Sequence, residues 1–541
     1  MQEFDGVIIG SGQHGLILGS YLAKAGLKIA VLERKLAYGG ALQTHQPGLP
    51  GFYHNFHSIN HFNISRTPWY RDLELESRGV KYIRVRYDFA SPTKDGTALV
   101  FSLDREETIA SIARFSKKDA ERWREWNRVA DPISDAIFLP ERYSEPLPEK
   151  ERDELLSRSE LGRAFLKIID RQPLKLITEE FENDRVRMLL LFKLSLFGTI
   201  LTEAVTSRSP MGASLRAFDT AAGYEVCQGG SLNLARGLME TFIASGGTFI
   251  NRAHVSKILI EGGRATGVEL EDGRTIRARQ FVASTVDVPQ TFRQMVGLDR
   301  LPAEYRAKIE SFQHTKWALF GLHLSMREAP NYRAAEFDPH VNTALKYNIG
   351  IESVEQILAQ QRQVADKKVP SPIAFGAGNI TVIDPTQAPK GMATAYGWMV
   401  VPSAPNGDPA NFDKIKHDLG DQMIELWSQY APNVKPSNIL EKHVWTPYDY
   451  TRDLINMVEG DIFMGSFTGE QTMWNHFGYR TPIQNLYMAG SPTHPGGAVS
   501  GGGGYIASKV IADDLGLRKW WTPVDARKSL EAIAEGEKVR V

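Results

Sequence analysis

The chain has one cysteine, Cys227, in 541 residues. This excludes an intrachain disulfide, a Cys-x-x-Cys redox pair and a cysteine-rich zinc site, and it suits a reducing cytoplasm. Charge of either sign is not in surplus: 63 Lys+Arg stand against 64 Asp+Glu, a net charge of -1. Without a broad positive field, nucleic acid is a poor partner. A long apolar run is also missing. Val186 to Leu201 comes nearest, but Arg187 and Lys193 interrupt it. It falls short of the roughly 20 residues a bilayer span needs and reads as a buried helix. The start, Met1-Gln2-Glu3-Phe4-Asp5, leads straight into an apolar strand, with no basic segment and cleavage site of a secretion signal. Internal repeats and long low-complexity tracts are absent too.

What is present begins at once. Phe4 to Ile9 is apolar, Gly10-Ser11-Gly12-Gln13-His14-Gly15 follows, and Leu16, Leu18, Tyr21, Leu22 and Ala23 then recur at helical spacing. This is strand, tight turn and helix. Gly10 allows the turn, Gly12 lets backbone approach a pyrophosphate, and Gly15 lets helix and strand pack closely. Phosphates would sit on the free N–H groups of the helix start. Gly26 closes the helix, Lys28 to Leu32 form a second strand, and Glu33 ends it, placed to accept both ribose hydroxyls of an adenosine and to repel a 2′-phosphate. FAD and NAD share this opening. Arg34 and then the pair Gly39-Gly40 suit a second close approach to a long cofactor, which favours flavin. No second glycine fingerprint supports a nicotinamide domain: Gly376-Ala377-Gly378 lacks the third glycine and a following helix.

The far end repeats the pattern. Asn485 to Gly490 is an apolar strand, and Ser491-Pro492-Thr493-His494-Pro495-Gly496-Gly497-Ala498-Val499-Ser500 leads through Gly501 to Gly504 into a helix, Tyr505 to Leu515. Glycines packed so densely at a strand-to-helix junction suggest backbone lying flat against a planar ligand, with the helix start facing the carbonyl edge of a reduced flavin.

On these residues the chain resembles the phytoene desaturase, carotenoid isomerase and retinol saturase group of FAD-dependent oxidoreductases. Leu486 to Gly504 matches the family's most specific signature, and Gly223 to Gly247 its Gly-Gly turn. His254 to Ile258 resembles the strand whose valine, here Val255, meets the adenine; Phe281 to Val286 and Thr446-Pro447-Tyr448-Asp449 complete the match. The resemblance implies an α/β fold: a Rossmann-like, three-layer ββα FAD-binding domain assembled from 1–70, 223–300 and 441–541. It also implies a helical cap at 71–222 and a mixed-sheet substrate domain at 301–440. Cofactor contacts fall on Gly10, Gly12, Gly15, Glu33, Arg34, Gly40, Val255, Gly490, His494, Gly496, Gly497 and Ala498. Asn55 stands where the family commonly has Asp, and His57 near a usual glycine. Polar groups there suit a carbonyl, hydroxyl or carboxylate better than a pure polyene.

Hydride transfer to flavin needs a C–H held over N5, with a base where a proton also leaves. His57 is the first candidate for proton acceptor or substrate anchor, His61 the second, and Tyr448 offers a further polar group; structural histidines explain the first two equally well. Metal is not expected, since no carboxylate lies at ligand spacing. The expected activity is a desaturase or dehydrogenase acting on a small apolar or alicyclic substrate, with dioxygen or a quinone as external acceptor. A flavin amine oxidase, a saturase or isomerase using reduced FAD, and a Rab GDP-dissociation-inhibitor-like binding protein are the alternatives. The retained glycines and Glu33 speak against the last. Trp520-Trp521 could rest on a membrane surface, contact a second copy in a homo-oligomer, or anchor the C-terminus; the expected location is cytoplasmic, with peripheral membrane contact open.

Overall fold

The opening strand β1 (Gln2–Ile9), the helix α1 (Gln13–Lys24) and the strand β2 (Ile29–Leu32) form the unit the sequence predicts. The computed structural model describes residues 2–198, 201–202, 208, 223–467 and 469–536. β1 lies between β2 and Thr275–Ser284, and all three run parallel. Thr248–Ile250 extends the sheet beyond β2, and Leu486–Met488 pairs with the C-terminal half of Thr275–Ser284, also in parallel. The N-terminal half of that long strand instead pairs antiparallel with Arg264–Leu270, which pairs antiparallel with Val255–Glu261.

Alternation along β1 and β2 assigns the two faces of this sheet. Ile8 and Val31 pack on a helical layer that includes Leu16, Leu238 and Ile506. Val7, Ile9, Ala30 and Leu32 pack on the other side with Val255, Ile258 and Val268 of the antiparallel strands. The result is three layers, with strands drawn from the beginning, the middle and the end of the chain.

A second sheet has the order Ile439–Trp445, Trp317–Met326, Ala393–Pro402, Phe375–Asn379, Lys346–Ile349, Tyr87–Pro92, Ala98–Ser102. Gly376 and Gly378 lie inside one of its strands, so they form no nucleotide turn. Its last two strands come from the stretch expected to be a purely helical cap. A short third sheet joins His61–Phe62, Tyr224–Cys227 and Tyr82–Arg84. The helices of the cap share one core: Trp123, Phe165 and Phe181 pack with Leu189, Leu190 and Leu191 of Asp184–Ser195. Among the described residues no helix is long and apolar enough to cross a membrane.

Three local points differ from or sharpen the expectation. Trp520 stacks on Tyr21 at 5.1 Å and donates its indole N–H to the Tyr21 carbonyl, while Trp521 meets the same ring edge-on. The pair anchors the C-terminal segment on α1, which leaves the membrane-surface reading without support. Thr446 and Asp449 form a reciprocal capping box with Pro447 in the first turn, so the TPxD stretch starts the helix Pro447–Asp453. Burial pushes the thiol of Cys227 up to about 12, which makes it inert at neutral pH.

Candidate functional site

The two glycine tracts meet through α1's first residues. Gln13 donates from Nε2 to the carbonyl of Ala498 at 2.8 Å, and its Oε1 accepts the N–H of Gly501 at 3.1 Å. His14 Nδ1 accepts the N–H of Gly504 at 3.2 Å. One cavity of about 640 Å³ opens beside this junction, within the size range of cofactor sites. It runs from Glu33 and Val255 past Gly10, Gly12 and Gly40 to Ala498, and on to side chains of the second sheet, Leu319, Lys346 and Trp398.

Gly12 shows that the cavity is shaped for something other than protein. Its φ of -67° is open to any residue. A Cβ there would meet no atom of the described residues within 4 Å, so neither strain nor packing among them asks for glycine; the cavity does. α1 also starts without a side-chain cap and without an acidic residue in its first turn, which leaves its N–H groups to an anion. The Glu33 carboxylate is held at the end of β2 by the N–H and hydroxyl of Ser11, at 3.2 and 2.7 Å, and by the N–H of Lys35.

Of the expected cofactor residues, Gly10, Gly12, Glu33, Arg34, Gly40, Val255 and Ala498 line the cavity. The others do not. A Cβ on Gly15 would lie 2.0 Å from the Gly10 carbonyl oxygen, which is the close packing expected of it. Gly490 lies under the Thr285 backbone, Gly497 under Phe463 and Gly496 against Phe467. His494 is buried and donates from Nε2 to the Glu141 carbonyl, so it fastens the loop to the cap. Gly503 and Gly504 let Gly502–Asp514 pack against Gly490 and the backbone of His14. The tract is therefore glycine-rich largely for close packing, and only Ser491, Ala498 and Val499 of it line the cavity among the described residues.

Two of the catalytic candidates, His57 and His61, line the cavity, and neighbouring side chains engage their ring nitrogens. His57 lies in the cavity wall, but its side chain is only 1% exposed. Its ring turns towards Tyr450, and Nε2 donates to Asp453 at 3.3 Å. Burial lowers its pKa, and the carboxylate opposes this without reversing it. His61 has both ring nitrogens engaged, by the Tyr82 hydroxyl at 2.7 Å and the Ser58 hydroxyl at 3.3 Å, and burial pushes it down to about 3. Tyr448 lies outside the cavity beneath the Arg452 guanidinium. Asn55 is also structural: its Oδ1 accepts the N–H of Ser231 and the Thr44 hydroxyl, and its amide donates to Gln387. Among the described residues no group of His, Cys, Asp or Glu is placed to hold a metal ion.

Sequence reasoning missed four features. Asp453 accepts from Lys35 Nζ at 2.6 Å, Gln43 Nε2 at 3.3 Å and His57, closing the loop that carries Gly39 and Gly40. Burial pushes its carboxyl up, but the hydrogen bonds from His57 and Lys35 outweigh this and hold it well below the usual carboxylate range. Arg142, at the end of the cap helix Leu139–Arg142, lines the cavity beside Gln13, His14 and Ser491. Its Nε is buried and has no acceptor among the described residues. Gln13 ties the two tracts together. The fourth feature is the apolar chamber beyond Ala498, formed by Phe62, Phe197, Leu319, Trp398, Ile462 and Phe463. Gln13 lies inside the opening glycine motif but carries no signal for this tie, and no motif marks the others, because the groups that meet come from segments distant in sequence.

A family model described as FAD dependent oxidoreductase matches residues 5–324. The chain belongs to this family. One of the subunits of limonene dehydrogenase from Castellaniella defragrans is 32% identical to it over 99% of each chain. The lycopene-forming phytoene desaturase of a Paracoccus species is 25% identical, over 94% of this chain and 97% of that protein. Cyclohexylamine oxidase from Brevibacterium oxydans shares the fold, with a TM-score of 0.56 at 15% identity over 95% of this chain and 99% of that one. The protein is an FAD-dependent oxidoreductase, and the bare cradle at Gly12 and the uncapped start of α1 fit the dinucleotide.

Arg142 gives a direct test of that fit. It is the one cationic residue of the cap that lines the cavity among the described residues, and a charge-assisted bond to a phosphate contributes about 1.5–3 kcal/mol. Arg142→Gln is expected to weaken FAD binding by about 10- to 100-fold, read by titrating apoprotein with FAD. An unchanged dissociation constant would remove Arg142 from the cofactor site.

Proposed function

We propose that this oxidoreductase is a dehydrogenase that forms a carbon–carbon double bond in a small apolar or alicyclic substrate and passes the electrons to an external acceptor such as dioxygen or a quinone. The observation that carries the reading is the continuity of the dinucleotide cavity with a chamber walled by aromatic and aliphatic side chains. The relatives named for dehydrogenation of limonene and desaturation of phytoene support it. Bound FAD supplies a two-electron centre that accepts hydride from carbon. Gly10, Gly12, Glu33, Arg34, Arg142 and Val255 would hold its adenosine and diphosphate part, and Gly40 and Ala498 would border its flavin part. Phe62, Phe197, Leu319 and Phe463 hold the substrate C–H in place and keep water out. Because Asp453 holds His57, and Tyr82 and Ser58 hold His61, these wall residues do the work by positioning. His57 and Asp453 are positioning residues that keep the Gly39-Gly40 loop closed.

An anaerobic titration tests the proposal. Adding a saturated or partly saturated cyclic terpenoid to the FAD-loaded protein should bleach the oxidised-flavin absorbance and yield a product lighter by two hydrogens. Bleaching by amines alone, with release of ammonia, would replace this reading with amine oxidation.

A further inference from the structure

Gly378 belongs to a glycine pair that neither a nucleotide turn nor the cofactor cavity explains. It stands opposite Tyr396 in the pairing of Phe375–Asn379 with Ala393–Pro402. A Cβ on it would collide with Tyr396 Cζ, so the glycine lets the phenol lie across the neighbouring strand. The ring is buried, and its hydroxyl donates to Asn60 Oδ1 at 3.4 Å. Asn60 lines the cavity, and Phe62 and Trp398 of the chamber pack against the cluster that holds Tyr396. While Oδ1 is engaged by Tyr396, the Asn60 amide N–H groups donate to no atom of the described residues. Trp398 adds a second donor: its ring centroid lies 5.3 Å from that of Tyr396, and its buried indole N–H has no acceptor among the described residues. Lys346, in the same wall, is already engaged, with its ammonium 4.0 Å from the centroid of the Tyr224 ring.

We propose that the substrate is an alicyclic ketone whose carbonyl oxygen accepts a hydrogen bond from the Asn60 amide while its ring packs against Phe62 and Trp398. Tyr396 and Gly378 are then the positioning residues that hold this amide. The proposal rests on the function assigned above and adds the one polar group the substrate bears. Covering an amide with an apolar ligand that offers no acceptor works against binding. A chamber built for a hydrocarbon gains nothing from that cost, since a leucine fills similar volume without it. A carbonyl oxygen has two lone pairs and no proton of its own, which matches a wall of donors; a hydroxyl brings a proton as well, and Asn60 Oδ1 is already engaged by Tyr396. Glu33 is the one carboxylate among the described residues lining the cavity, and it closes β2 at the nucleotide end. The ammonium of an amine substrate therefore meets no carboxylate of the described residues in the chamber.

Calorimetric binding to the FAD-loaded protein distinguishes the outcomes, using three compounds of one shape: 4-isopropylcyclohexanone, the matching alcohol, and isopropylcyclohexane. The ketone is expected to bind about 5-fold more tightly than the alcohol, and its infrared carbonyl band should move to lower frequency on binding. Asn60→Leu should weaken the ketone about 5-fold, leave the hydrocarbon within about 2-fold, and return the band towards its position in an alkane. Asn60→Asp, which puts acceptors where donors stood, should weaken the ketone at least as much. Tyr396→Phe, which releases the amide, should return the band part of the way with Asn60 still present. Flavin content and thermal melting show that each variant is folded. The inference is overturned if the ketone fails to bind or binds no more tightly than the alcohol, if its carbonyl band does not move, or if Asn60→Leu weakens ketone and hydrocarbon alike or weakens neither. Bleaching of the flavin by the hydrocarbon with a ketone affinity indifferent to Asn60→Leu would leave the dehydrogenase reading standing and remove this one. Ketone binding that depends on Asn60, without bleaching by any of the three, would do the reverse.

Discussion

Gly12→Val is expected to give a folded protein that no longer holds FAD, while Gly15→Val, three residues on, is expected not to fold. At Gly12 the backbone lies at φ -67° and ψ 177°, which valine adopts freely. The Cβ that valine adds meets no atom of the described residues within 4 Å, and Gly12 lines the cavity. Its cost to the fold is that of a poor N-terminal helix residue, about 1 kcal/mol. Its cost to the cofactor is steric, at the point where the dinucleotide approaches backbone, and a loss of at least about 100-fold in affinity follows from about 3 kcal/mol of overpacking. At Gly15 the Cβ would lie 2.0 Å from the Gly10 carbonyl oxygen and 3.5 Å from Ile8 Cγ2. Neither can retreat, because both belong to the β1 strand and its turn. Circular dichroism melting with flavin absorbance separates the cases. A Gly12→Val protein that is yellow, or one that is unfolded, would show that the cavity at Gly12 is not the dinucleotide cradle.

Stability should collapse on mild acidification. His14, His54, His61, His476 and His494 are all buried, and burial pushes their pKa values from 6.5 down to about 4, 4, 3, 3 and 4. The unfolded chain takes up protons on these rings below about pH 6.5, and the folded chain does so only near its own lower values. Their neutral burial therefore favours the native state fully above about pH 6.5, and this stability is lost as pH falls towards 4. Each ring contributes a slope of about 1.4 kcal/mol per pH unit in that window. Together they approach about 7 kcal/mol per unit, comparable to the whole stability of many folded proteins. Carboxylates such as Asp453 do not compensate: its low folded value adds stability above the unfolded carboxylate range and loses it only at still lower pH. Urea midpoints should hold nearly level from pH 7.5 to about 6.5 and fall steeply from there to 5.5. His54→Gln keeps a partner for the Ser325 hydroxyl, now 3.0 Å from His54 Nε2, and should flatten the slope by about one proton. A midpoint independent of pH over this range would mean that the rings titrate elsewhere.

What could be read from the linear chain was local or periodic. The strand, glycine turn and helix of residues 4–24, the acidic residue closing β2, and the alternation of Val7, Ile8 and Ile9 follow from contacts among near neighbours. The strand Trp317–Met326 and the helix Phe412–Ser428 are local in the same sense. The distant C-terminal tract was legible because a dense run of glycines is informative wherever it stands. Tertiary structure alone decided what those residues face. A glycine required by a ligand and a glycine required by a neighbouring helix are the same letter; Gly12 and Gly504 are told apart by what stands where a Cβ would be. A histidine near a cofactor motif reads as a base until its partners are known, and Asp453, 396 residues away, accepts a hydrogen bond from His57. Asn60 and Arg142 carry no motif, since the free energy of burying a polar group depends on the space around it, and that space is enclosed only when the inserted sheet and the cap close over the dinucleotide cleft.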